Sequence, residues 1–235
     1  MKRTLLPILL PIRSIVFLLT FVVCAWLVNT DLSSIGHWWT MIAVVVNIFT
    51  ILLLVFAAHK NGLTFWQLIN YQKGKASWKS ILWVTLLVLV VGMSGMYLAG
   101  FLCYGNMLYA PPVIIAPIAK WIAIINIVLL PISTTFAEDG LYLGCGTNQI
   151  KNKYAAILVP AFFYALQHCF IPTLLDGRYI IYRFLSFLPL TVILCWYYYR
   201  KRNPLPIMVG HAIIDLATVA QIVATSMIPG LYGSL

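Results

Sequence analysis

The chain has 235 residues, 63% of them hydrophobic and 9% charged, with a formal net charge of +10. Soluble domains carry about a quarter charged residues, so this composition excludes a chain that covers itself with polar surface and indicates an integral membrane protein. The positive charge sits in short connections between apolar segments, with no Gly-rich phosphate loop and no basic-aromatic face, which points to membrane topology and anionic lipid rather than nucleic acid.

Lys2 and Arg3 precede an apolar run that resembles a signal peptide. The run is long, Arg13 interrupts it and no A-x-A cleavage site follows, so an uncleaved transmembrane helix is predicted over about 14–28. After a polar turn, Trp38 and Trp39 stand where an interfacial aromatic belt would, and a second helix follows over about 39–58. The polar stretch 59–79 carries Lys60, Lys73, Lys75 and Lys79 with Trp66 and Tyr71 between them. It reads as a positive-inside loop, with room for a short interfacial helix on acidic lipid. The third helix, about 80–103, has a patch of small residues at Gly92, Ser94 and Gly95 suited to close helix packing. Pro111, Pro112 and Pro117 break the apolar stretch 104–118 into an interfacial or re-entrant segment. Four more helices are expected over about 119–144, 154–173, 182–199 and 206–226. The fold class is therefore all-α, a polytopic transmembrane bundle of about seven helices, or eight if the proline-rich stretch crosses. Residues 1–110 would form the N-terminal helices with their basic loop, and 111–235 the functional core.

With the N-terminus inside, twelve of the fifteen Lys and Arg residues, Arg13 among them, fall on the cytoplasmic side. Lys120, Arg178 and Arg183 fall outside, which is the asymmetry expected of a multi-pass protein of a bacterial cytoplasmic membrane. The five cysteines, Cys24, Cys103, Cys145, Cys169 and Cys195, lie in or at the ends of apolar segments and form no CxxC pair. They read as reduced, buried small hydrophobes.

Only five residues are acidic, and two of them, Glu138 and Asp139, are adjacent inside the apolar fourth helix. A charge in hydrocarbon costs about 2.5–3.5 kcal/mol even on lenient scales, so such residues persist when they are paired, wet or functional. The fifth helix has His168, with Tyr164 one turn earlier and Gln167 beside it. The seventh has His211 and Asp215 one turn apart, on one face with Thr218 and Thr225. Counted from the basic residues at the helix ends, Glu138, His168, His211 and Asp215 all fall about 14–22 Å deep. They can therefore meet at one level. Structural readings exist for each residue alone: a satisfied histidine, a His211–Asp215 counter-ion pair, or Glu138 and Asp139 held by Thr134 and Thr135. Together the four are better explained as a site. A carboxylate base with a histidine suits hydrolysis by activated water, with two further groups as oxyanion donors. The set Glu138, His168 and His211 could instead hold Zn²⁺ with one open position. No HExxH is present and no Ser or Cys nucleophile is paired with either histidine.

Three stretches resemble the motifs EExxxR, FxxxH and HxxxN/D of the CAAX prenyl protease and bacteriocin-processing (CPBP, or Abi) family of intramembrane proteases. They are Glu138-Asp139-Gly140-Leu141-Tyr142-Leu143, Tyr164-Ala165-Leu166-Gln167-His168 and His211-Ala212-Ile213-Ile214-Asp215. Asp139 replaces the second Glu, Tyr164 the Phe, and Leu143 the Arg, which removes the expected partner of a nearby carboxylate. The resemblance implies a membrane endopeptidase needing no cofactor, in which Glu138 activates water with His168 while His211 and Asp215 form the oxyanion site. Asp139 and Tyr164 would support them, and zinc is the alternative. The implied partners are membrane lipids and a hydrophobic peptide or membrane-protein substrate, in bacteriocin or peptide processing or in self-immunity. The missing arginine motivates a second reading, a pseudo-protease that confers immunity by binding. A proton-coupled transporter or sensor is a third, which the absence of an inverted repeat disfavours.

Overall fold

Every long segment of this chain is apolar almost all round, a pattern that suits helices with one face on protein and the other on lipid. A computed structural model describes residues 3–234; Met1, Lys2 and Leu235 lie outside the described residues, and with Lys2 goes part of the charged N-terminal signal. The described residues form nine helices: α1 (Ile12–Val28), α2 (Leu32–Gly36), α3 (Trp39–Lys60), α4 (Phe65–Leu68), α5 (Trp78–Tyr104), α6 (Lys120–Asp139), α7 (Lys153–His168), α8 (Gly177–Lys201) and α9 (Leu205–Met227). Six helical stretches, Leu6–Val28, Trp39–Lys60, Trp78–Tyr104, Lys120–Thr147, Gly177–Lys201 and Leu205–Met227, are long and apolar enough to cross a membrane. Large apolar side chains, Leu19, Trp83, Val90 and Val128 among them, remain exposed on these stretches, as lipid contact requires. The chain is a multi-pass membrane bundle.

α6 packs between α3 and α9, α5 packs on α8 and α9, and α7 lies along α8 and touches α1. Helices from before and after residue 110 are thus interleaved, which brings N-terminal side chains to the middle of the bundle. Two apolar clusters hold it. One contains Leu10, Leu54, Leu68, Leu143, Leu194 and Tyr198, and the other Phe17, Phe21, Val46, Leu130 and Val219.

The structure departs from the sequence expectation at three places and decides a fourth that the sequence left open. The fifth predicted helix, 154–173, stops at His168, so α7 has 16 residues. At about 1.5 Å per residue it falls short of the ~30 Å hydrocarbon thickness. Pro172 has no N–H to continue the ladder and disfavours helical backbone at Ile171. The last carbonyls are taken over by Arg183, whose Nε donates to the His168 carbonyl at 3.1 Å and whose Nη2 donates to that of Ile171 at 2.9 Å. The fourth helix, expected over 119–144, is α-helical only to Asp139 and continues as a π-helix over Gly140–Thr147. Glycines allow this wider turn to pack closely, since a Cβ on Gly146 would stand 2.6 Å from the Pro160 ring. The proline-rich stretch adds no eighth crossing. It is irregular apart from a 3₁₀ turn at Pro112–Ile115, and it is tied down by Trp39 Nε1 on the Ile114 carbonyl and by Thr225 Oγ1 on that of Ile115. Finally, Arg13 is no cytoplasmic loop charge: it lies inside the first apolar stretch, 1% exposed, at the centre of the bundle.

Within the basic stretch 59–79, α4 is the short helix that the sequence left room for. It is closed by a capping box in which Thr64 and Gln67 exchange side-chain and backbone bonds.

Candidate active site

Glu138 projects from the last turn of α6, just before the helix widens. Such π-helical insertions recur at functional positions. Its carboxylate is 2% exposed. Oε1 accepts from Nη2 of Arg13 at 3.0 Å. Oε2 has no hydrogen-bond partner among the described residues and faces two imidazoles, with His168 Nε2 at 3.8 Å and His211 Nε2 at 3.7 Å. One oxygen is therefore anchored and the other is free to react.

Arg13 explains how a carboxylate is kept in this apolar setting. Its guanidinium donates from Nε to Gln167 Oε1 at 2.6 Å, from Nη1 to Thr50 Oγ1 at 3.0 Å, and from Nη2 to Asn47 Oδ1 at 2.9 Å and to Glu138. Asn47 donates onward to Thr134 Oγ1 at 2.9 Å, and the Tyr142 hydroxyl donates to Gln167 Oε1 at 3.1 Å. A buried cation of an ion pair persists when its remaining donors are satisfied, and here α3 and α7 supply the further partners of Arg13. Leu143, where the motif has Arg, is fully buried in the apolar cluster with Leu10 and Leu68. A guanidinium, which position 143 lacks, thus reaches Glu138 from α1 and offsets its charge.

Asp139 has a different task from its neighbour. Its Oδ1 accepts from the Tyr164 hydroxyl at 3.0 Å, and Oδ2 lies 3.4 Å from His211 Nδ1. The Tyr164 oxygen is also 3.1 Å from that Nδ1. Nδ1 of His211 is therefore engaged and its Nε2 is turned toward Glu138. Tyr164 stacks on Tyr142 with centroids 4.4 Å apart, which fixes the phenol. Asp215 Oδ2, which has no hydrogen-bond partner among the described residues, lies 3.7 Å from the same His211 Nε2. His168 is held by the Phe187 ring, stacked at 3.7 Å with an interplanar angle of 13°.

Glu138, His168, His211 and Asp215, matched for depth in the sequence, thus meet at one point, with Asp139 and Tyr164 behind His211. They line a cavity of about 390 Å³ whose other walls are mostly apolar and include Leu89, Met93, Met96 and Ile214. Sequence reasoning missed Arg13, Asn47, Thr50, Phe187 and Arg183. Arg13 was findable: the rule that singles out Glu138, a charge inside an apolar stretch, applies equally to it. The polar Asn47 and Thr50 on α3 gave a weaker signal, and Phe187 gave none.

The possible zinc set converges on Glu138 Oε2 at the distances given above. Tetrahedral ligands at about 2.0–2.2 Å would stand about 3.3–3.6 Å apart, and no group of three His, Cys, Asp or Glu side chains among the described residues has the arrangement to hold a metal ion.

Residues 120–217 match the family described as Type II CAAX prenyl endopeptidase Rce1-like. No curated protein and no solved structure matches the chain. The matched stretch runs from the start of α6 into α9 and holds all three motifs, so the resemblance read from them is borne out over these residues. Arg13, Asn47 and Thr50 lie before it.

Proposed function

We propose that the chain is a membrane endopeptidase, a reading supported by the family match over residues 120–217, and that it hydrolyses a peptide bond with a water molecule activated by Glu138. The observation that carries this is the asymmetry of the Glu138 carboxylate, with one oxygen on Arg13 and the other facing His168 and His211 at 3.8 and 3.7 Å. Separations of this size are too long for direct hydrogen bonds and fit a bridging water. Glu138 takes a proton from that water as its oxygen bonds to the carbonyl carbon. The carbonyl π pair moves to oxygen, where His211 Nε2, oriented by Asp139 and Tyr164, stabilises the negative charge when protonated. Asp215 contributes there when it carries a proton. As the oxyanion reforms the carbonyl, the C–N bond breaks and the nitrogen takes the proton held by Glu138, directly or through His168. One water is consumed, and an acid and an amine are released.

Arg13 favours a reading without metal. A guanidinium 3.0 Å from Glu138 already neutralises the carboxylate that a dication would need. The apolar walls favour a hydrophobic, membrane-associated peptide or protein segment, such as a leader or bacteriocin-type precursor at a bacterial cytoplasmic membrane. The binding-only immunity reading takes its motive from the lost arginine, and Arg13 supplies that guanidinium. The test is cleavage of a hydrophobic leader-type peptide by purified protein, with and without chelator. The reading expects full activity in chelator and none in Glu138→Ala protein that keeps its thermal unfolding transition. Undiminished cleavage by that variant would sink the mechanism, and loss in chelator restored by Zn²⁺ would replace it with the metal route.

A further inference from the structure

The two ends of the bundle differ in charge. At one end the connections 60–79, 151–153 and 200–202 carry four, two and three Lys or Arg residues and no acid. They are tied together, with Asn70 Nδ2 donating to the Arg202 carbonyl at 2.9 Å and Asn148 Nδ2 to that of Leu68 at 2.9 Å. The other end has Lys120, Arg178 and the buried Arg183 against Asp31 and Asp176.

The cavity that holds the reacting groups extends toward only one of these ends. Its lining runs on α9 from His211 to Gln221, on α5 from Val88 to Tyr97 and on α8 from Leu194 back to Arg183, in each case away from the lysine-rich end. Among the described residues, none of 48–87, 139–163 or 195–210 lines it, and these ranges contain all three basic connections. The lysine-rich side of Glu138 is solid instead. Leu54, Leu68, Tyr142, Leu143, Tyr198 and Ile207 pack there in one cluster and are fully buried. A Cβ on Gly140, just past Glu138, would stand 2.9 Å from Leu54 Cδ1. The mouth is lateral. Of the described residues that line the cavity, four are exposed: Met93 and Met96 on α5, and Ala217 and Gln221 on α9. Nearer the lysine-rich end these two helices close up, and a Cβ on Gly210 would stand 3.2 Å from the Thr85 backbone.

We infer that the substrate enters from the extracytoplasmic leaflet, between α5 and α9, so that the chain acts on a peptide already exported or inserted from the outer side. The inference rests on the endopeptidase reading above. The positive-inside rule assigns the lysine-rich, sealed end to the cytoplasm. Gln221 lies about 9 Å along the helix from the Met227 end of α9, which sets the mouth in the outer half of the membrane. His211 lies about 15 Å deeper, a distance that about four or five extended residues span. The substrate therefore offers an extended apolar segment that reaches down from the outer leaflet, and the flexible Met93 and Met96 side chains at the entrance adapt to varied apolar sequences. A cytoplasmic chain end meets the buried cluster and has no path to Glu138.

The experiment uses the full native chain in membrane vesicles of both orientations, with an apolar fluorogenic peptide that carries a charged dye at each end and cannot cross them. Cleavage is expected in right-side-out vesicles, and in inverted ones only after detergent opens them. Ala217→Trp at the mouth should lower kcat/KM severalfold, whereas Leu216→Trp, beside it but outside the cavity lining, should not. A second readout needs no catalysis. In a chain whose five native cysteines are replaced by alanine, Gln221→Cys should react with a membrane-impermeant thiol reagent added to intact cells, and Lys75→Cys only in inverted vesicles. The vesicle comparison leaves the chain unaltered, so it holds even if the cysteine variants misfold. Cleavage by sealed inverted vesicles equal to or above that by right-side-out ones, undiminished cleavage by Ala217→Trp, no reaction of folded Gln221→Cys from outside, or reaction of Lys75→Cys from outside each overturns the proposal. Outside reaction at Gln221→Cys without any cleavage by the native chain in detergent would instead keep the entry side and remove the hydrolase reading.

Discussion

Arg13 and Arg183 are both buried, and they are held in opposite ways. Arg13 is enclosed by side chains from α3, α6 and α7, and its charge is spent on Glu138. Arg183 touches only backbone carbonyls and a ring face. The contrast separates two uses of a costly charge. A saturated cation belongs to the built structure and fixes a reacting group. A cation bonded only to carbonyls closes a helix end, and its charge is offset only in part.

The comparison can be broken or sharpened by substitution. The largest effect is expected where Arg13 delivers its charge. Glu138→Gln keeps shape and a bond to Arg13 but removes the base, and peptide cleavage should fall about 10²- to 10⁴-fold with folding intact. Next is Arg13→Met, which leaves a buried carboxylate uncompensated and should cost about 3–5 kcal/mol of stability in thermal or denaturant unfolding. The double variant Arg13→Met with Glu138→Gln should recover much of that loss, because no unpaired charge remains; additive losses would mean that the ion pair is not what holds these two residues. Arg183→Gln should destabilise less, about 1.5–3 kcal/mol, since two bonds to carbonyls are weakened and no charge is orphaned. Equal losses at the two arginines would erase the distinction between them. Tyr164→Phe removes the hydroxyl shared by Asp139 and His211. It should cost about 1 kcal/mol and slow cleavage severalfold.

The smallest effect lies outside the membrane, at a charge with no burial at all. Asp31 caps α2 by accepting from the Ser34 backbone and from the Ser33 and Ser34 hydroxyls, which lower its pKa from 3.8 to about 2. A folded-state pKa below the unfolded value means that the cap contributes above about 3.8 and is lost as pH falls toward 2. Amide exchange at Ser34 should speed up in that window while cleavage at neutral pH is unaffected by Asp31→Ala.

Much of the site was legible in advance because intramembrane charge is rare. Glu138, Asp139, His168, His211 and Asp215 stand out against apolar neighbours, and helix rise alone places four of them at one depth. Helix ends were less legible. The stop of α7 at His168 depends on Arg183 taking over its carbonyls from a different helix, and the π-helical turn after Asp139 depends on what Gly146 must pack against. Arg13 was visible but misassigned, because a basic residue near an N-terminus fits the positive-inside pattern as well as it fits an ion pair.

The adjacent carboxylates illustrate the division most clearly. Composition and spacing determined by themselves that this is an all-helical membrane bundle with a polar site and three motifs in order, since burial cost and helical periodicity act locally and leave a pattern in the residues. Which carboxylate meets which partner was decided only by tertiary packing. Glu138 and Asp139 differ by about 100° around the helix, so one faces Arg13 of α1 and the other Tyr164 and His211 of α7 and α9. Those partners lie 125 positions before and 25 and 72 positions after in the chain, and no local rule links them.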